Sequence, residues 1–245
     1  MAAPGGSPAM THTDPIAPPA RLCIFGATGA TGSAALTQAL GRGFEVRGVV
    51  HDPSETLPGG AERVVADVLN DDLAPVVAGC DAVLSCLGVA NDPQTLLNPP
   101  PLYTDGTGAI IRAMEAEGVA RLVVISASFL SAPNRGPILF RLGAEPALAR
   151  VFSQMADMEE LLEQSALAWT AMRPGWLMEG ELTEDYMVRP EAIPSDTIRT
   201  RHADLAHMML NCVERGEWLR GKPALARRES EENESNAKVI NAMLA

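Results

Sequence analysis

The chain has 245 residues, 47% hydrophobic and 20% charged, which suits one folded domain, or at most two, with a substantial core. Its 31 acidic against 19 basic residues give a formal net charge of −12, which argues against binding nucleic acid or an anionic membrane surface. No apolar run approaches the ~20 residues of a membrane-crossing helix, and four cysteines without a Cys-x-x-Cys pair read as reduced, buried thiols of a cytoplasmic protein.

In chain order, residues 1–20 are rich in Pro, Ala, Gly, Ser and Thr and are expected to form a disordered tail; Met10 is a second candidate start, and no signal peptide is expected. Residues 21–226 are expected to form the folded domain. Arg21–Phe25 reads as a strand, followed by a glycine turn and a helix over Gly32–Leu40. Strands are expected at Phe44–Val50, Arg63–Ala66 and Ala82–Leu87, with a short helix at Asp72–Ala78 that tolerates Pro75 only in its first turn. The apolar stripe Ile110, Ile111 and Met114 predicts a helix stopping at Gly118, and Leu122–Ile125 a fully buried strand. A long helix is expected before Ser165, a strand at Trp169–Met172 and a last helix at Asp204–Val213, capped by His202 or Asp204. Residues 227–245 read as a charged tail. Strands alternating with helices predict an α/β fold, a doubly wound parallel sheet of Rossmann type with a small C-terminal substrate lobe.

The glycine turn carries the most chemistry. Gly26-Ala27-Thr28-Gly29-Ala30-Thr31-Gly32 follows the first strand and opens the first helix. Small residues there permit a tight turn and close approach of a pyrophosphate, which the N–H groups of the helix start then bind. Gly26, Thr28, Gly29, Ala30, Thr31 and Gly32 are therefore candidate NAD(P) contacts. Asp52, twenty residues beyond Gly32, is placed to accept hydrogen bonds from an adenosine ribose, and His51 to meet a 2′-phosphate. Asp67, with Val68, is placed for the adenine. The two lysines, Lys222 and Lys238, lie near the C-terminus, so a P-loop ending in Gly-Lys-Ser/Thr is absent. His202 and His207 are five apart, about 500° around a helix, so they do not share a face and no metal site is expected. Cys80 and Cys86 show no nearby basic residue to activate them and read as core.

These segments resemble the atypical short-chain dehydrogenase/reductases of the NAD(P)H-binding, NmrA-like branch, and most of all the biliverdin IXβ reductase/flavin reductase group. The resemblance rests on Ile24–Gly32, Asp67-Val68-Leu69, Leu87-Gly88-Val89-Ala90-Asn91-Asp92, Ser126–Leu130 and Trp169–Gly175. It implies a Rossmann fold, NADP as the favoured cofactor with NAD still open, and cofactor contacts at Leu87 and Gly88. The departures matter. The arginine that grips the 2′-phosphate in that group aligns with His51, a substrate-proximal serine with Ala127, and a histidine with Trp176. The Tyr-x-x-x-Lys pair of ordinary members falls at about Val151 and Met155, and no lysine precedes Lys222.

A missing tyrosine–lysine pair disfavours carbonyl–alcohol chemistry. Hydride delivery to a flat conjugated acceptor, such as a flavin, quinone or tetrapyrrole, needs no internal acid because the proton comes from solvent. Ser126 and Ser128 are the candidate catalytic residues, with Phe129, Arg173 and Trp176 as candidate substrate contacts; Arg135 is a further cation near the site. Serines at strand ends also cap turns, and Arg173 also suits a carboxylate partner beneath the loop. The expected function is an NAD(P)H-dependent reductase, a monomer or small homo-oligomer acting on a small molecule. The alternative is a non-catalytic redox sensor of the NmrA-like kind.

Overall fold

The computed structural model describes residues 14–90, 92–131, 145–194 and 197–230. Five strands, β1 (Arg21–Phe25), β2 (Glu45–Val50), β3 (Ala61–Val65), β4 (Ala82–Ser85) and β5 (Arg121–Ile125), are followed by β6 (Ala168–Pro174), β7 (Trp176–Met178), β8 (Met187–Pro190), β9 (Arg199–Arg201) and β10 (Pro223–Ala226). Eight of them form one sheet in the order β3-β2-β1-β4-β5-β6-β10-β8, while β7 and β9 pair separately. The first seven strands of that sheet run parallel, and β8 adds an antiparallel edge against β10. This is the doubly wound α/β fold expected from the alternation of apolar runs and helical patterns. The strand order reverses between β1 and β4, so the crevice opens there, at the carboxyl ends of the strands.

Alternation within the strands gives each face its own core. Cys23 and Phe25 point to one side with Val83, Leu122, Val124 and Trp169; Leu22 and Ile24 point to the other with Leu84, Val123 and Met172. The α-helices among the described residues are α1 (Ala30–Gly41), α2 (Ala74–Val77), α3 (Pro93–Leu97), α4 (Thr107–Glu117), α5 (Glu145–Gln164) and α6 (His202–Arg215). Met114 of α4 and Met158 and Leu162 of α5 pack into the first core, Leu36 of α1 and Met209 of α6 into the second. Pro75 lies in the first turn of α2, where its missing N–H costs nothing. Gly118 and Gly216 end α4 and α6 in the left-handed conformation, with φ of 73° and 62°.

Three boundaries differ from expectation. Ile16 packs on the second core and donates from its N–H to Val213 O at 3.2 Å, so the tail expected over residues 1–20 is anchored before residue 21. Glu229 is buried and accepts from Arg201 and Arg227, so ordered contacts extend past 226. Neither His202 nor Asp204 caps α6: its N-cap is Arg201, and Asp204 instead accepts from Thr183 and Glu184 of the preceding loop. Residues 1–13 and 231–245 of the expected tails lie outside the described residues.

Candidate functional site

The carboxyl ends of β1, β2, β4, β5 and β6 converge on a cavity of about 1250 Å³. That exceeds the ~300–1,000 Å³ of a single small-ligand site. One half is built by the glycine loop. Gly26 has φ +69°, and a Cβ there would stand 2.6 Å from Cys86 O; a Cβ on Gly32 would stand 2.0 Å from Gly26 O. These two glycines fix the turn and the close packing of α1 on it. Gly26, Thr28, Gly29, Ala30 and Thr31 line the cavity, whereas Gly32 supports them from behind. The first-turn N–H groups of Ala30, Thr31 and Gly32 precede any intrahelical acceptor, an arrangement suited to an anion.

Around this loop the expected residues sort themselves. His51, Asp67, Val68, Leu87 and Gly88 line the cavity. Asp67 accepts from Leu69 N at 2.9 Å and Asn70 Nδ2 at 2.7 Å; the Asn70 bond, then the Leu69 bond, holds its carboxyl below the ordinary value. Asp52 does not line the cavity: it turns away and accepts from Ser54 N at 2.7 Å. From the same turn after β2 it is Glu55 that lines the cavity, accepting from Thr28 Oγ1 at 2.6 Å and from Asp52 N at 3.2 Å. His202 also enters from a distant part of the chain, its Nδ1 2.7 Å from Thr31 Oγ1, and burial keeps its pKa low despite Glu179. A neutral imidazole there avoids placing a second fixed charge on the loop.

The other half of the cavity is apolar. Phe129, Phe152, Trp176, Leu148, Val151 and Met155 line it, with Leu96, Leu102 and Tyr103 on the facing side. The rings of Phe129 and Trp176 meet edge to face with centroids 5.4 Å apart, and those of Phe129 and Phe152 are tilted by 31° with centroids 5.9 Å apart. Val151 and Met155, where the resemblance aligned a tyrosine–lysine pair, are therefore wall residues.

Three expected site residues have other partners or places. Arg173 is buried beneath the site, where its Nε and Nη2 meet both oxygens of Glu159 at 2.9 and 2.6 Å and Nη1 meets Glu191 at 2.7 Å. Its charge is thus already neutralised, and it does not line the cavity. Ser126 lines the cavity, but its hydroxyl donates to Glu159 Oε1 at 2.6 Å, leaving no proton to give a substrate. Ser128 is buried outside the lining, and its Oγ has no hydrogen-bond partner among the described residues. Arg135 lies outside the described residues, as does Asn91 of the motif after β4.

Cys80 also differs from expectation: Arg47 Nη1 lies 3.7 Å from its Sγ, a base that is distant in sequence but adjacent across the sheet. The Cys23 hydrogen bond lowers its pKa, burial opposes that, and Arg47 adds to the lowering. Burial pushes Cys86 up to about 12, so it remains a thiol. Among the described residues no helix is long and apolar enough to cross a membrane, and no cluster of three or more His, Cys, Asp or Glu is arranged for a metal.

Fold and glycine loop together define a Rossmann-type dinucleotide-binding protein. Residues 26–215 match the model of the NAD(P)H-binding family, and the chain belongs to that family. It is 31% identical over 171 residues to a 3-diazoavenalumate denitrifying reductase of Streptomyces sp., covering 64% of this chain and 56% of that protein. It is 34% identical over 130 residues to cinnamoyl-CoA reductase 1 of Oryza sativa subsp. japonica, covering 47% of this chain and 37% of that one. The chain thus spans about half the length, or less, of these curated relatives. Among solved structures, a Bacillus halodurans protein provisionally named an NAD-dependent epimerase/dehydratase superposes with a TM-score of 0.70 at 21% identity, over 91% of this chain and 99% of that one. A Streptococcus pneumoniae protein provisionally named an NADH-flavin reductase superposes with a TM-score of 0.68 at 23% identity, over 85% and 100%. At such identities the two structures speak to the fold alone.

Proposed function

We propose that the protein is an NAD(P)H-dependent reductase that passes hydride to a flat conjugated acceptor, the proton being drawn from solvent. The observation that carries this reading is the two-part cavity: a glycine cradle with free helix N–H groups on one side, an aromatic and aliphatic chamber on the other, continuous at the strand ends. The bound nicotinamide supplies the hydride, and the chain's own residues supply position and exclusion of water. Gly26, Thr28, Gly29, Ala30 and Thr31 would hold the pyrophosphate, Asp67 and Val68 the adenine, and Leu87 and Gly88 the ribose side of the crevice. The names of the Streptomyces and rice relatives, both reductases, support the reaction class. So does the family's cofactor.

The resemblance to the biliverdin IXβ reductase/flavin reductase group favours NADP, but the Glu55 carboxylate beside Thr28 favours NAD. A carboxylate accepts from ribose hydroxyls and repels a 2′-phosphate. We therefore assign NADH as the preferred donor. The test is anaerobic oxidation of NADH and NADPH in the presence of flavins, quinones and tetrapyrroles. Acceptor-dependent oxidation is the expected result. Tight binding of an oxidised nicotinamide with no turnover on any acceptor would replace the reductase with a redox sensor.

A further inference from the structure

The acceptor half of the cavity holds one ionisable side chain whose placement no motif predicted. Tyr103 lies in the π-type turn Leu102–Gly106 that leads into α4, 5% exposed, and forms part of the cavity lining. Its hydroxyl meets the backbone of Val89, itself a lining residue after β4. The segment leading into the turn is held against α5 by two hydrogen bonds: Arg150 Nη1 donates to Leu97 O at 2.6 Å and Gln154 Nε2 to Pro99 O at 3.2 Å. Tyr103 thus shares the cavity lining with Val151, Met155, Phe129, Phe152 and Trp176.

We propose that Tyr103 is the polar anchor of the acceptor subsite, and that the acceptor is a compact quinone whose ring lies against Phe129, Phe152 and Trp176 while one carbonyl oxygen accepts from the Tyr103 hydroxyl. This rests on the reductase reading and narrows it. Burial pushes the Tyr103 pKa up to about 12, against the Val89 contact, so the hydroxyl keeps its proton and stays a donor.

The choice of a quinone follows from counting polar partners. A quinone presents apolar faces and edge oxygens that one hydroxyl, with solvent at the mouth, can satisfy. A flavin presents several nitrogens and oxygens along one edge, and each left unpaired in an apolar wall would weaken binding. Among the described residues of this half, Tyr103 supplies the one phenol, and the Ser126 hydroxyl already donates its hydrogen bond to Glu159. The reaction balances as quinone plus NADH plus one solvent proton giving hydroquinone plus NAD⁺; hydride brings both electrons, and no other reductant is needed.

The experiment compares menadione with riboflavin and flavin mononucleotide as acceptors for the full chain with NADH, in the wild type and in Tyr103→Phe. Menadione is expected to be the better acceptor, with kcat/KM about fivefold to tenfold lower in Tyr103→Phe, the range for loss of one neutral hydrogen bond. The NADH dissociation constant should be unchanged. In the wild type, 2-methylnaphthalene, which has the ring without the oxygens, should compete with menadione about as weakly as the variant binds it. Reduction of flavins without menadione, an unchanged kcat/KM in Tyr103→Phe, or equal binding of the hydrocarbon and the quinone would overturn the assignment. Failure of both nicotinamides to bind would instead overturn the reductase reading itself.

Discussion

Under the proposed NADH preference, Glu55 is the side chain on which cofactor choice turns. Sequence spacing selected Asp52, which lies at the customary distance beyond the glycine loop. In the folded chain the turn after β2 folds Asp52 onto Ser54 and brings Glu55 back to Thr28, so the carboxylate arrives three residues later than spacing alone predicts. Replacing Glu55 with Gln removes the charge and keeps an acceptor; NADPH should then bind severalfold more tightly relative to NADH, measured by titration of both. An unchanged ratio would remove Glu55 from the ribose pocket. Arg173 shows the same limit of sequence reading. Its motif was legible, but whether a guanidinium faces a ligand or a carboxylate depends on Glu159, which lies in a different element. Tyr103 had no local signal at all, because its value comes from the cavity around it.

At the scale of elements, β1 to β6 and helices α1, α2, α4, α5 and α6 were legible, since most show a run or stripe of apolar residues with glycine or proline near an end, whereas the five-residue α3 was not. What sequence missed were the short β7 to β10, of three or four residues each, whose existence depends on tertiary partners. The β1–α1 junction is the least tolerant place in the fold. Gly32→Ala puts a methyl group into Gly26 O, and the expected outcome is loss of nicotinamide binding with a lower melting temperature.

Behind the cavity, α5 and β6 are joined by the buried Glu159–Arg173 pair, with Ser126 and Lys222 as further partners. Removing Arg173 takes the bidentate partner from a buried carboxylate and leaves it Ser126 and Lys222 alone, so Arg173→Ala should lower stability in denaturant unfolding by about 3 kcal/mol, the low end for breaking a buried pair. Burial pushes the Glu159 pKa up, but hydrogen bonds from Arg173 and Ser126 and the Arg173 and Lys222 charges outweigh it, and the net shift is downward from 4.5. A lowered carboxyl pKa means the contribution is complete above the unfolded value and is lost as pH falls through the folded one. Stability should therefore fall on acidification below about 4.5, and Glu159→Gln should flatten that limb. A wild-type stability that holds steady through that range would contradict the assignment.

For the whole molecule, the sheet order creates the crevice, the glycine loop fills one end of it, and α5 with the turn at Tyr103 closes the other. The fold and the glycine turn that opens α1 were readable in advance because they follow from local rules, alternation and small residues at a turn. Of the apolar chamber, Phe129 and Trp176 were named in advance as substrate contacts, whereas Tyr103, Val151, Phe152 and Met155 were not, because they come from α5 and the segment before α4, which sequence does not bring together. The account stands or falls on whether the cavity takes a nicotinamide dinucleotide. The most direct measurement is a calorimetric titration of the full chain with NADH, NAD⁺, NADPH and NADP⁺ in parallel. The account predicts saturable one-to-one binding, tighter for NADH than for NADPH. No heat of binding from any of the four would contradict it.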